Sequence, residues 1–234
     1  MKLKIQREHL EEFEADVHNI TALGFLEHIK REDDHSLTFS SGCRSSICGS
    51  CAIRVNGKEV LACAHKVEDG DILEPLKNYE VIRDLVVDMQ KAQQKNALAK
   101  AFLEKLTTPL PALTPDDVKR NELQSDCILC GSCYSACPVL SVNENFLGPF
   151  TLTRVWKYVT DKREADTKTK IDTIQVNGVW DCTLCNECTM VCPQGISSKQ
   201  DIEMLRSSSA MAGYSDPNFA SFGGGFGFDG SPQF

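Results

Sequence analysis

The sequence predicts an α+β protein in two parts, a β-rich N-terminal unit with one helix followed by a helical C-terminal unit. Three observations carry this reading. Short apolar alternations and a tight-turn signal fill the first part, three closely spaced prolines interrupt the middle, and twelve cysteines fall into three groups of four. The proline stretch places the expected boundary between 1–106 and 107–206, and the composition change after Arg206 sets off a tail over 207–234.

Each element has a local reason. Leu3 and Ile5 alternate with lysines, as on a half-buried strand. TALGFLEHIKR, residues 21–31, sets Ala22, Leu23, Phe25, Leu26 and Ile29 on one helical stripe. In AIRVNGKEVLAC, Asn56-Gly57 separates two apolar-containing runs, and this pair accepts the positive φ angles of a tight hairpin. Asp69-Gly70-Asp71 marks a turn before Ile72 and Leu73. From Val81 to Leu106 the spacing of Leu85, Met89, Ala92, Ala99, Leu103 and Leu106 predicts a helix packed into the core. TTPLPALTP, ending at Pro115, stops it, because proline lacks the amide a helix needs. Thr114-Pro115-Asp116 then has the form of a helix start. Thr151–Thr160 reads as a helix, and the charge run DKREADTKTK after it as a solvated surface loop. Beyond Arg206 the chain turns Ser-, Gly- and Phe-rich. Either it is a disordered tail, or its phenylalanines dock on a partner subunit.

Composition removes several function classes. Lys and Arg number 25 against 33 Asp and Glu, so the formal charge of −8 argues against nucleic acid, whose binders need basic patches. No apolar run approaches the roughly 18 residues of a spanning helix. The segment MKLKIQRE lacks the apolar stretch of a secretory signal, so an intracellular setting is expected, or export alongside a partner. Disulfide frameworks belong to small secreted chains, which makes metal ligation the better use for twelve cysteines.

The first group is Cys43-x4-Cys48-x2-Cys51, closed by Cys63. This is the plant-type ferredoxin spacing for a [2Fe–2S] cluster, three thiols on one curled loop with a fourth from further on. Gly42 and Gly49 suit such a loop. The second group, Cys127-x2-Cys130-x2-Cys133-x3-Cys137-Pro138, and the third, Cys182-x2-Cys185-x2-Cys188-x3-Cys192-Pro193, repeat the bacterial ferredoxin run. In that run the fourth cysteine serves the other cluster. One [4Fe–4S] is therefore expected on Cys127, Cys130, Cys133 and Cys192, and a further cluster on Cys137, Cys182, Cys185 and Cys188. Three four-cysteine zinc sites are the metal alternative, but zinc ribbons pair two CxxC knuckles, unlike either pattern. A Rieske centre needs two histidine ligands, and Cys63-Ala64-His65 offers one. His65 is read as a surface or supporting residue, and His9, His18, His28 and His35 as scattered singles. Gly223–Gly227 follows no strand and opens no helix, so it is no dinucleotide fingerprint. Asn19-Ile20-Thr21 fits a glycosylation sequon that has no meaning without export. No acid–base pair, flavin fingerprint or substrate pocket is legible. A one-electron relay is the role that remains.

SSGCRSSICGSCAIRVNGKEVLAC, VIRDLVVDM, DCILCGSCYSACP, LGPFTLTR and VCPQGI, in this order, resemble the iron–sulfur subunits of the succinate dehydrogenase and fumarate reductase family across about residues 1–205. The resemblance implies a plant-type, β-grasp ferredoxin domain followed by an α-helical bacterial-type ferredoxin domain. It implies a flavoprotein partner that holds FAD, a membrane-associated partner that handles quinone, and a place at the inner (plasma) membrane, cytoplasmic face first. The first cluster would lie nearest the flavin and the third nearest the membrane partner.

Two departures from the family pattern bear on the chemistry. Conventional members lack a cysteine at the position of Cys185 and hold [3Fe–4S]; here [4Fe–4S] is expected, with [3Fe–4S] as the fallback. Quinone-binding members carry a Trp pair after the Cys-Pro and a His after the next cysteine, where this chain has Val139-Leu140-Ser141-Val142 and Thr183. Both departures resemble the atypical branch that works with a cysteine-rich, heterodisulfide-reductase-like membrane subunit. An iron–sulfur subunit of a glycolate or glycerol-3-phosphate oxidase-type complex, and a zinc-binding interaction subunit, are the rival functions.

Overall fold

The structure is a computed structural model and describes residues 1–217. Residues 218–234 lie outside the described residues, and with them the Gly223–Gly227 run and the question of what the aromatic tail does.

The first body is a five-stranded mixed sheet that holds one helix. Strands β1 (Lys2–Gln6) and β2 (Leu10–Glu14) are antiparallel, and helix α1 (Ala22–Glu32) follows. β3 (Ala52–Val55) and β4 (Lys58–Leu61) form the hairpin, with Asn56 and Gly57 at φ +50° and +81° as the pair requires. β5 (Ile72–Glu74) enters between β1, to which it is parallel, and β3, to which it is antiparallel. The sheet order is β2-β1-β5-β3-β4. Thr21 caps α1 by accepting from the Gly24 amide, and the stripe of Ala22, Leu23, Phe25, Leu26 and Ile29 is buried against Leu3, Ile5, Ile53, Val55 and Leu73. These are the residues the sequence pattern selects.

The expected helix over Val81–Leu106 is a correction. Residues 80–88 form a small antiparallel ribbon, β6 (Glu80–Arg83) and β7 (Val86–Asp88), which turns at Asp84 with φ +48°. Only α2 (Gln90–Leu98) is helical, and Lys100, at φ +50°, stands just beyond its end. β-Branched Val81, Ile82, Val86 and Val87 crowd a helix turn and suit a ribbon. Leu106, the last residue of the stripe, is half exposed.

The second body gathers short helices: α3 (Pro115–Lys119), α4 (Glu122–Ser125), α5 (Ser132–Ser135), α6 (Pro149–Val159), α7 (Thr167–Thr173), α8 (Glu187–Met190) and α9 (Ser198–Met211). α3 begins with a full capping box between Thr114 and Asp117. α6 and α9 form the centre, packing Leu152 and Val155 with Ile202 and Leu205. Side chains change from the first core to the second between Leu85 and Ala92, ahead of the proline-rich stretch that set the expected boundary.

The charge run after α6 is the second correction. Lys170 has a fully buried side chain and lies 3.1 Å from the equally buried Glu164. Its ammonium donates to Lys100 O and Phe102 O, while Glu164 accepts from the amides of Glu104, Lys105 and Asp166. The run closes over residues 100–106 because paired charges with every lone pair and proton used can be buried.

Candidate metal centres

The loop that carries Cys43, Cys48 and Cys51 curls because Arg44, Ser46 and Gly49 sit at φ +57°, +60° and +73°. The curl turns amides toward sulfur. Ser45, Ile47 and Cys48 donate to Cys43 Sγ at 3.3–3.4 Å, the Cys43 amide donates to Cys48 Sγ, and the Ser46 amide donates to Cys63 Sγ. The Ser50 hydroxyl adds a bond to Cys48 Sγ at 3.2 Å, which with the amides lowers that thiol to about 6. Burial lifts Cys51 to about 11. Against the same upward pull of burial, Ser46 holds Cys63 below its ordinary value. Donors aimed at sulfur favour thiolate, the form that binds iron. The loop fits a [2Fe–2S] cluster on this count.

The repeated cysteine run is also a repeated backbone. Leu129 and Leu184, each between the first two cysteines, have φ +52° and +56°; Gly131 and Asn186, each after the second, have φ +83° and +73°. Each loop then enters a one-turn helix, α5 or α8, and ends in Cys-Pro. The Leu184 amide donates to Cys182 Sγ and the Ile196 amide to Cys192 Sγ, both at 3.4 Å. Arg206 of α9 reaches back to the carbonyls of Val179, Trp180 and Cys182, which holds the third loop in place.

The last thiol of the third loop stands beside the second loop. Cys127, Cys130, Cys133 and Cys192 line one pocket, walled by Phe150 and Ile196. Burial raises the thiols of Cys127, Cys130 and Cys133, and all three also feel the charge of Cys192. Burial likewise raises Cys137 and Cys182, and pushes Cys188 up to about 12; charges among Cys137, Cys182, Cys185 and Cys188 add to it, Glu203 also acts on Cys182, and Cys188 also acts on Cys133. Cys43, Cys48 and Cys185 are exposed and Cys51, Cys137 and Cys188 buried. Among the described residues no three Cys, His, Asp or Glu side chains are placed to hold a single metal ion.

The two bodies meet at these loops. A Cβ on Gly49 would stand 2.7 Å from Cys130 Cβ, so the first loop touches the second through bare backbone. The Asn78 side-chain amide donates to the carbonyls of Tyr134, Ser135 and Cys137, and Tyr79 donates to Gly131 O. Ser135 accepts from the Lys77 amide and donates to Glu59. Asn78, Tyr79, Ser46 and Ser50 have no sequence signature, because a lone polar residue in a loop announces nothing until the partner carbonyl is known. The His65 backbone carbonyl accepts from the first amide of α1. Val139 and Leu140 are buried in the second core, whereas Val142 and Thr183 face outward. No described helix is long and apolar enough to cross a membrane.

Comparison with known proteins agrees with this geometry. The 2Fe-2S iron-sulfur cluster binding domain family matches residues 2–94, and the 4Fe-4S dicluster domain family matches 123–196. The chain is 36% identical to the 8-methylmenaquinol:fumarate reductase iron-sulfur subunit of Wolinella succinogenes, over 82% of this chain and 64% of that one. It is 37% identical to an uncharacterized iron-sulfur protein of Methanocaldococcus jannaschii, over 89% of this chain and 42% of the relative, so it spans less than two thirds of either. The fumarate reductase iron-sulfur subunit of Haemophilus influenzae is 33% identical, with 88% of each chain covered. A chain of the Mycobacterium smegmatis Sdh1 complex in the apo form shares the fold, with a TM-score of 0.82 at 23% identity over 92% of this chain and 98% of that one. Order, spacing and fold agree: the chain belongs to the iron–sulfur subunit family of succinate dehydrogenases and fumarate reductases.

Proposed function

We propose that this chain conducts single electrons between the FAD of a flavoprotein partner and a membrane-associated, quinone-reactive partner, within a succinate dehydrogenase or fumarate reductase complex. The observation that carries this is the gathering of twelve thiols on three loops, the first meeting the second through Gly49 and Cys130, and the second feeling the charges of the third loop's Cys188 and Cys192 at Cys133. Cys43, Cys48, Cys51 and Cys63 would hold [2Fe–2S]; Cys127, Cys130, Cys133 and Cys192 would hold [4Fe–4S]; Cys137, Cys182, Cys185 and Cys188 would hold the third cluster as [4Fe–4S]. When bound, such clusters supply one-electron exchange without atom transfer. The chain's own residues do the rest: amides and serine hydroxyls stabilise thiolate charge, glycine permits close approach, and apolar Phe150 and Ile196 keep water from the second quartet.

Cys185 and the aliphatic pair Val139 and Leu140 favour the branch that pairs with a cysteine-rich membrane subunit over one that binds quinone beside this chain. The relative named for 8-methylmenaquinol supports that reading, as does a relative of Methanothermobacter marburgensis named as part of a CoM/CoB fumarate reductase. The proposed place is peripheral to the inner membrane, on its cytoplasmic face, with the periplasmic face open to a complex exported through a partner's signal. The test is purification of the native complex under anaerobic conditions. Iron should number 2 + 4 + 4 = 10 per chain, and succinate oxidation or fumarate reduction should copurify with a flavoprotein. A colourless, iron-free preparation overturns the reading, and nine irons with a [3Fe–4S]⁺ signal overturns the third assignment.

A further inference from the structure

Lys95 is a buried cation that the thiol loops do not account for. It projects from α2 with 7% of its surface exposed. Its ammonium donates to Tyr134 Oη at 2.6 Å, to Glu144 O at 2.5 Å and to Phe146 O at 2.7 Å. Three protons meet three oxygens, all neutral. Lys170, the other deeply buried lysine, differs, because Glu164 cancels its charge in contact. Lys95 keeps its positive charge inside a poorly screened interior; although burial lowers its pKa to about 8, the ammonium predominates at pH 7.

Its position gives that charge a target. Tyr134 lies on the strip between Cys133, which turns to one quartet, and Cys137, which turns to the other. Among the groups whose charge acts on the ammonium are Glu144 and Cys137. We infer that Lys95 is a fixed positive charge that raises the reduction potential of the centre built on Cys137, Cys182, Cys185 and Cys188. The inference rests on the electron-transfer reading above. Adding an electron to a thiolate-bound centre is favoured by a nearby cation, and net charge is one of the determinants of such potentials. A unit charge roughly 10 Å from a redox centre, at an effective dielectric of about 20, shifts a one-electron equilibrium by about tenfold. Lys95 acts through the strip and touches no ligand, so it is a positioning residue.

The experiment is an anaerobic redox titration of the iron-loaded complex followed by EPR, with iron counted in every variant. Lys95→Met should make the third centre about tenfold harder to reduce, a fall of about 59 mV for one electron, while the first centre is unmoved. Lys95→Arg should restore most of the shift. Glu144→Gln, at an exposed position, should move the same signal in the opposite direction by a smaller amount. Unshifted potentials in iron-replete Lys95→Met overturn the inference, as does a Lys95→Met chain that loses iron while Lys95→Arg keeps it, which would make the lysine purely structural. An unmoved signal in Glu144→Gln also counts against it. Failure of the electron-transfer reading looks different: the wild type itself would show no such signals.

Discussion

Gly49 is where replacing a single hydrogen by a methyl tests how closely the two bodies approach. An alanine Cβ there would lie 2.7 Å from Cys130 Cβ, 3.0 Å from its Cα and 3.3 Å from its amide nitrogen. Carbon atoms rest at roughly 3.5–4.0 Å, so the loops must separate by about 1 Å. The neighbours are backbone and Cβ, which cannot rotate away. Overpacking of this kind costs about 1–3 kcal/mol. The left-handed backbone at φ +73° adds roughly 1–2 kcal/mol for any residue with a Cβ. Gly70 supplies the control, since it has φ +88° and a Cβ added there would meet nothing within 4 Å. Gly70→Ala should therefore show the backbone cost alone. Anaerobic thermal unfolding of the two variants, with iron counted in each, separates the contact from the conformation. Gly49→Ala should melt about 2–12 °C below Gly70→Ala, at roughly 2–4 °C per kcal/mol for a chain of this size. Equal melting points with full iron would refute the claim that the loops touch through Gly49.

Three other outcomes follow from the same structure. Cys185→Ala should reduce the iron count from ten to nine per chain and bring up a [3Fe–4S]⁺ EPR signal; ten irons in the variant would show that Cys185 is not a ligand. Lys170→Met strands the buried Glu164 and should cost about 3–5 kcal/mol in chemical denaturation, against near-zero for Lys168→Met, which breaks an exposed pair. Asp201 is buried; burial raises its carboxyl to about 6 despite the hydrogen bonds of Gln124 and Thr153. Between the ordinary carboxylate range and 6 the folded state holds the extra proton, so stability falls as pH rises through that window and is level above it. The advantage of Asp201→Asn over wild type should grow by about 1–2 kcal/mol from pH 5 to pH 8; a constant difference would show that Asp201 does not titrate there.

Where local rules and tertiary packing agree, the elements are legible in the residues. Asn56-Gly57, the Thr21 cap, the Thr114 capping box and the α1 stripe each have their reason within a few positions, and the structure has them in place. Residues 80–88 were misleading for a physical reason: in so short a stretch, apolar residues three and four apart satisfy a helix, while the β-branched side chains satisfy a ribbon. The run from Asp161 to Lys170 looked solvated because charge normally is, and only the approach of residues 100–106 reveals that Lys170 and Glu164 close a buried pair. The cysteine spacing announced three thiol-bearing loops, yet the seating of the strip 134–137 depends on Asn78 and Lys95, which come from a loop and from a helix with no marked apolar face.

In the proposed assignment each Cys-Pro turn lends its thiol across to the opposite loop, and this has a consequence for biogenesis. On that assignment neither of the two later cysteine runs supplies a complete set of four anchors from within itself; one set would close only with Cys188 and the other only with Cys192. A nascent chain emerging from the ribosome can finish its first centre early, but must wait for those residues to emerge before either remaining one can be sealed. Premature termination ahead of Cys188 would leave both incomplete together.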